Sequence, residues 1–193
     1  MSNTALSVLD QTELLQLALE ADSKNDSGSA LAYLKEAASR PDASAPALLL
    51  LGAHYASLQL NDRAINALEA AVAADPQMAI ARFQLGLLHL TTGNAARAIE
   101  VLQPLEGLDE NNALRHFSQG LRHMVKDELA AASEHLQRGI ALNKENPALN
   151  NDMQRIIDEI AKAPIEQCTA EPPPTTDSQH VMLSVYTGLS SRH

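Results

Sequence analysis

Small and large apolar residues return every 34 positions along this chain. Gly52, Gly86 and Gly120 follow Leu51, Leu85 and Gln119; Ala30, Ala64, Ala98 and Ala132 keep the same step, as do Leu34, Leu68, Leu102 and Leu136. A fourth column, Ala37, Ala71, Leu105 and Gly139, repeats with less fidelity, and Ala18 stands where the first unit would carry its glycine. A fixed period of this length decides the architecture ahead of local propensity, because each unit buries its apolar face only by stacking on the next. The columns divide the chain into four units, residues 11–44, 45–78, 79–112 and 113–146.

The second unit shows the physical logic most fully. Its first helix is expected to carry Leu48, Leu51, Gly52 and Tyr55, its second Ala64, Leu68 and Ala71, with Pro76 at the exit. Gly52 and Ala64 lack the bulk that would hold two helix backbones apart, Tyr55 and Leu68 fill the space beside them, and Pro76, without an amide hydrogen, stops the helix. Cap formers and breakers lie between the paired helices at Asn25 to Gly28, Asn61-Asp62 and Gly93-Asn94. This pattern resembles the tetratricopeptide repeat, and the resemblance spans the four units. It implies an all-α fold, a right-handed α-solenoid of four helix pairs. The ends depart from the pattern: Asp42 occupies the first unit's exit-proline place with Pro41 displaced by one, and the fourth unit has no proline until Pro147. Beyond it, Leu149, Met153, Ile156, Ile157 and Ile160 recur at helical spacing, which predicts a capping helix over 147–163 with a polar outer face. The expected repeat domain is therefore 11–163, preceded by an N-terminal arm, 1–10.

Composition agrees with helices. Hydrophobic residues make up 45% of the chain but aromatic ones only 3%, with no Trp, so the core has to be built from Leu and Ala, which lose little entropy in a helix. The net charge of -10 repels phosphates and anionic headgroups, which argues against nucleic acid and membrane surfaces as partners. The single cysteine, Cys168, cannot form an internal disulfide, Met1 to Gln16 contains no Lys or Arg, and no apolar run approaches the roughly 20 residues of a spanning helix. The expectation is a soluble cytoplasmic protein.

At Pro164 the composition changes. Residues 164–179, with Glu171-Pro-Pro-Pro-Thr-Thr-Asp177, read as an extended linker. An apolar C-terminal segment, 180–193, follows: Val181, Leu183 and Val185 alternate as a strand would, while Met182, Tyr186 and Leu189 share a face if it is helical, and period alone does not decide. It reads on one side as a loose end or a piece packed on the capping helix, and with equal weight as a docking segment for a partner or for this protein's own groove.

Solenoids bind along the wall lined by the first helix of each unit. The resemblance places that wall at fixed positions of the repeat, here Leu15, Leu19, Leu49, Leu50, Ala53, Ile80, Phe83, Leu87, Leu90, Leu114, Phe117, Leu121 and Met124. An apolar wall of that extent marks a binding site for apolar or amphipathic peptide, unless the protein buries it itself or the register assigns core leucines to the groove. Relatives that hold acidic chaperone C-termini use a Lys, Asn and Arg clamp on this wall. Leu15, Leu19, Leu50 and Ile80 occupy most of those places and Gln84 the last, so a carboxylate clamp is not expected.

No catalytic constellation is legible. His116, His123 and His135 crowd the fourth unit, but His89 and His123 fall in the column of Tyr55, an aromatic packing slot, which favours packing over metal ligation. Ser27-Gly-Ser29 lacks the preceding strand of a nucleophile elbow, and no glycine-rich phosphate loop is present. The sequence thus predicts a non-enzymatic protein-binding adaptor or chaperone without cofactor or metal, broadly similar to the small acidic tetratricopeptide chaperones of bacterial secretion systems. The alternative is a structural subunit that self-associates or self-inhibits through 180–189.

Overall fold

In a computed structural model, which describes residues 6–162, the chain is all-α: nine α-helices, two short 3-10 turns and no strand among the described residues. The helices are α1 (Gln11–Ser23), α2 (Ser27–Ala38), α3 (Ala45–Ser57), α4 (Asn61–Ala74), α5 (Ala79–Thr91), α6 (Ala95–Leu102), α7 (Ala113–Val125), α8 (Leu129–Leu142) and α9 (Pro147–Lys162). The first helices of successive pairs begin at 11, 45, 79 and 113, repeating the 34-residue step of the sequence columns. No described helix is long and apolar enough to cross a membrane.

The chain divides into two compact units, residues 1–88 and 89–193, with the division inside α5. In the first unit α1 packs on α2, α2 on α3 and α3 on α4. In the second, α7 packs on α8, α8 on α9, and the 3-10 turn Gln103–Gly107 lies between α6 and α7. α9 buries Met153, Ile156 and Ile157 and leaves Gln154, Arg155 and Asp158 exposed, the amphipathic division expected of a terminal helix.

The glycine and leucine columns prove to be one contact made in both units. A Cβ built on Gly52 would lie 2.6 Å from Cγ of Leu68 and 3.3 Å from the carbonyl of Ala64; one built on Gly120 would lie 2.7 Å from Cγ of Leu136 and 3.1 Å from the carbonyl of Ala132. Gly52 and Gly120 therefore make room for the leucine 16 positions later, and the fully buried Ala64 and Ala132 keep the backbones close.

A further column is conformational and carries no common residue. Asn25, Gln59, Gly93 and Asp127, again 34 apart, all adopt positive φ, of 58°, 59°, 80° and 59°. Each ends the first helix of a pair. The next amide donates back to the carbonyl five residues earlier, Asp26 to Ala21, Leu60 to Tyr55, Asn94 to His89 and Glu128 to His123, at 2.8–3.0 Å. This is the Schellman closure, which satisfies carbonyls that the helix end leaves open. At the N-terminal ends Asp10 and Glu13 form a reciprocal capping box, each bond 2.8 Å, and Asp26, Ser44, Asn94 and Asn112 cap α2, α3, α6 and α7.

The stretch read as an N-terminal arm is anchored over its described part. Leu6 and Leu9 pack against the buried cluster of Leu14, Ala37 and Ala47, and the guanidinium of Arg40 donates to the carbonyls of both Leu6 and Leu9 while pairing with Glu36.

Candidate functional site

The predicted wall separates into three groups. Phe83, Leu90, Phe117, Leu121 and Met124 are buried, with at most 3% of their surface exposed, so they belong to the core and present nothing to an incoming peptide. The reason is visible at Phe117. Its ring fills the space over Gly139, where a Cβ would lie 2.5 Å from Cε1, so this side chain points into the α7–α8 pair. In helices this rich in leucine, neighbouring apolar positions differ by only 100° around the axis, and a rule of positions transferred from other sequences does not resolve which side is covered. Leu49, Leu50, Ala53, Ile80, Leu87 and Leu114 are partly exposed. So is Leu15, although it packs on the Leu14, Ala37 and Ala47 cluster. Leu19 alone of the thirteen is exposed, at 55%.

Three of these residues, Leu19, Leu50 and Ala53, meet in a cleft of about 210 Å³ in the first unit. α1 contributes Ala18, Leu19 and Asp22; α2 contributes Ala30 and Leu34; α3 contributes Leu50, Ala53, His54 and Ser57. Ala18, Ala30 and Leu34 are buried and form the floor, while Leu19 stands up at the rim. Small side chains make the cleft: Ala18 and Ala53 leave between the first helices of two successive pairs the volume that larger residues would fill. His54 is buried in the α3 wall, and its Nε2 donates to the carbonyl of Ser27 at 3.1 Å, tying α3 to the start of α2. Asp22 is the one carboxylate on the lining. It was missed in the sequence because it sits beyond the wall positions, although its i+3 spacing from Leu19 puts both on one helix face.

The crowded histidines of the second unit form a ladder. The ring of His135, on α8, stacks between two rings of α7, 5.1 Å from His123 at an interplanar angle of 5° and 5.9 Å from His116 at 21°. His116 Nε2 donates to the carbonyl of Glu110 at 2.7 Å, and His123 Nδ1 donates to the carboxylate of Glu128. That bond holds the Glu128 carboxyl below its ordinary value. Burial, then the charges on His123 and His116, hold His135 below the ordinary imidazole range. No group of three or more His, Cys, Asp or Glu among the described residues is arranged to hold a metal ion. His89, in the same column as Tyr55 and His123, is 5% exposed and Tyr55 is 8% exposed; Arg63 lies over the Tyr55 ring, 6.0 Å from its centre. The docking segment, Val181, Met182, Leu183, Val185, Tyr186 and Leu189, lies outside the described residues, as does the expected linker.

Comparison with known proteins agrees with this architecture. Residues 55–113 match the family model of the tetratricopeptide repeat. A search of curated proteins finds no match. Among solved structures, the chain is similar to a MamA RS-1 ArsTM double mutant, with a TM-score of 0.60 and 16% identity over 93% of this chain and 94% of that one. It is also similar to a crystal structure of MamA, with a TM-score of 0.58 and 23% identity over 69% of this chain and 78% of that one. A third, MamA 41-end from Desulfovibrio magneticus RS-1, has a TM-score of 0.57 and 19% identity over 79% and 89% of the two chains. At these identities the likeness is one of fold. With its 34-residue columns, its repeated helix pairs and the shared fold, the chain has the helical-repeat fold of tetratricopeptide proteins and matches the repeat's family model over residues 55–113.

Proposed function

We propose that this protein is a non-catalytic binding module that takes an apolar or amphipathic protein segment into the cleft between α1 and α3. Tetratricopeptide repeats are interaction modules, and the observation that carries the finer reading is the cleft itself. It is open, its walls are mainly apolar, and Leu19 stays 55% exposed at its rim, where among the described residues only Val8, Leu58 and Leu60 are other exposed large apolar side chains and none of them lines the cleft. An isolated apolar side chain on a surface needs no explanation, but one standing over a cleft of small residues is the geometry that receives a partner's side chain. An adaptor or chaperone role follows from such a site. We place it in a reducing compartment such as the cytoplasm, in keeping with a single cysteine.

A photo-crosslinking residue at Leu19, compared with one at the exposed Asn66 of α4, tests this reading. The expected result is capture of a discrete partner from Leu19 alone, lost in an Ala53→Asp variant whose melting curve stays unchanged. Equal capture from Leu19 and Asn66, or capture unaffected by Ala53→Asp, would overturn it. Phe83 and Phe117 are unsuitable for such blinding substitutions, because a carboxylate in their buried sites would unfold the repeat before it affected binding.

A further inference from the structure

The lining of the cleft is divided along its length. Leu19, Leu50 and Ala53 supply an apolar part, while Asp22, His54 and Ser57 supply a polar one at the last turns of α1 and α3. Two of these three have spent a proton inside the fold: Ser57 Oγ donates to the carbonyl of His54 at 2.8 Å, and His54 Nε2 to that of Ser27. Asp22, as a carboxylate, only accepts. Among the described residues no hydrogen bond or ion pair engages that carboxylate, and the nearest cation in sequence, Lys24, is held by Glu20 at 2.6 Å. Asp22 is also placed against the stability of its own helix. It lies in the last turn of α1, where the macrodipole already concentrates negative charge, and no basic residue shares that turn. A carboxylate that burdens its helix and has no partner within the fold is available to a partner outside it.

Resting on the reading of the cleft as a binding site, we infer that its occupant is a cationic amphipathic segment of another protein, one that seats an apolar side chain beside Leu19, Leu50 and Ala53 and brings a Lys or Arg to Asp22. The cleft, about 210 Å³, admits a side chain or two and no larger body, so recognition rests on one apolar anchor and the cation next to it. Leu19 and Asp22 lie three positions apart on α1, roughly 4.5 Å along its axis at 1.5 Å per residue. An occupant that is helical meets both when its apolar and basic residues are three or four positions apart. An acidic segment is rejected, because its carboxylates would meet a like charge and a lining of acceptors. The net charge of -10 adds a long-range pull on a basic partner. The polarity is the reverse of a carboxylate clamp: here the anion belongs to the repeat and the cation to its ligand.

The test selects a display library of random peptides against the full chain and keeps those captured by the photo-crosslinker at Leu19 but not at Asn66. These peptides are expected to pair an apolar residue with Lys or Arg within one helical turn and to lack Asp and Glu. One of them, synthesised with a fluorescent label, should bind the Asp22→Asn chain about fivefold more weakly than the unaltered chain, the upper end for an exposed ion pair. Replacing its Lys or Arg with norleucine should cost the same on the unaltered chain and nothing further on Asp22→Asn, and the difference should shrink in high salt. Asp22→Asn should melt no lower than the unaltered chain, since it removes a charge opposed to the macrodipole. Captured peptides with no excess of Lys and Arg, or equal binding to both chains, leave the proposed function standing and overturn this inference. A fall in melting temperature that accompanies the loss of binding overturns it as well, by making Asp22 a structural residue. If no selected peptide is captured from Leu19, both readings fall.

Discussion

Replacing Gly139 with alanine gives opposite outcomes according to whether Phe117 is core or wall. In the middle of a helix the change by itself stabilises by about 1 kcal/mol, because alanine loses less backbone entropy than glycine. In α8 the added methyl would lie 2.5 Å from Cε1 and 3.1 Å from Cγ of Phe117, whose ring has no exposed surface and so no room to swing away. Overpacking of a closed core costs about 1–3 kcal/mol, and contacts this close to a rigid ring belong at the upper end. The net expectation is a loss of about 2 kcal/mol, or about 4–8 °C in melting temperature for a chain of this size. Phe117→Leu alone should cost about 1–2 kcal/mol through the space it leaves. Combined with Gly139→Ala it should cost no more than that, since the methyl then occupies the vacated volume, giving a coupling of about 2 kcal/mol. Urea titration of the four chains by far-UV circular dichroism measures all of these terms. A rise in stability for Gly139→Ala, or additivity within about 0.5 kcal/mol, would refute the packing argument and return Phe117 to an open surface.

Stability should decline in mild acid through the histidine ladder. His135 is held below its ordinary value by burial first, then by His123 and His116, with Arg138 adding and Glu134 opposing. The unfolded chain therefore takes that proton more readily. The contribution is intact above about pH 6.5 and is lost as pH falls below it toward the lowered folded value; urea midpoints between pH 8 and 5 should fall less in a His135→Phe variant, and equal slopes would remove the ladder as the cause. At the positive-φ column, Gln59→Gly should raise the melting temperature and Gly93→Ala, with nothing within 4 Å of its new methyl, should lower it, each through about 1 kcal/mol of backbone strain; shifts of the same sign would contradict this. Arg40→Ala should release the turn Leu6–Val8 and speed amide exchange at Leu9 while leaving that of α7 and α8 unchanged, because two of its donors hold the carbonyls of Leu6 and Leu9.

The fold was legible because its determinants are local and periodic. A glycine opposite a leucine 16 residues later is a contact inside one helix pair, and its recurrence at Gly52 and Gly120 makes the helix–helix approach readable without coordinates. The positive-φ column was not legible, since Asn25, Gln59, Gly93 and Asp127 share a backbone conformation and no side chain. The site was legible only in part. Sequence spacing brings Leu19, Leu50 and Ala53 toward one surface, but it cannot distinguish them from Phe117 or Leu121, which are just as apolar and fully covered. Which of these leucines faces outward depends on what the neighbouring helix places over it, and that is a property of packing. For the same reason the placing of Asp22 beside the cleft and the stacking of His135 between two histidines of α7 were decided by tertiary structure. The 34-residue columns by themselves determined that helices would pair and repeat; the packed helices determined where the protein stays open.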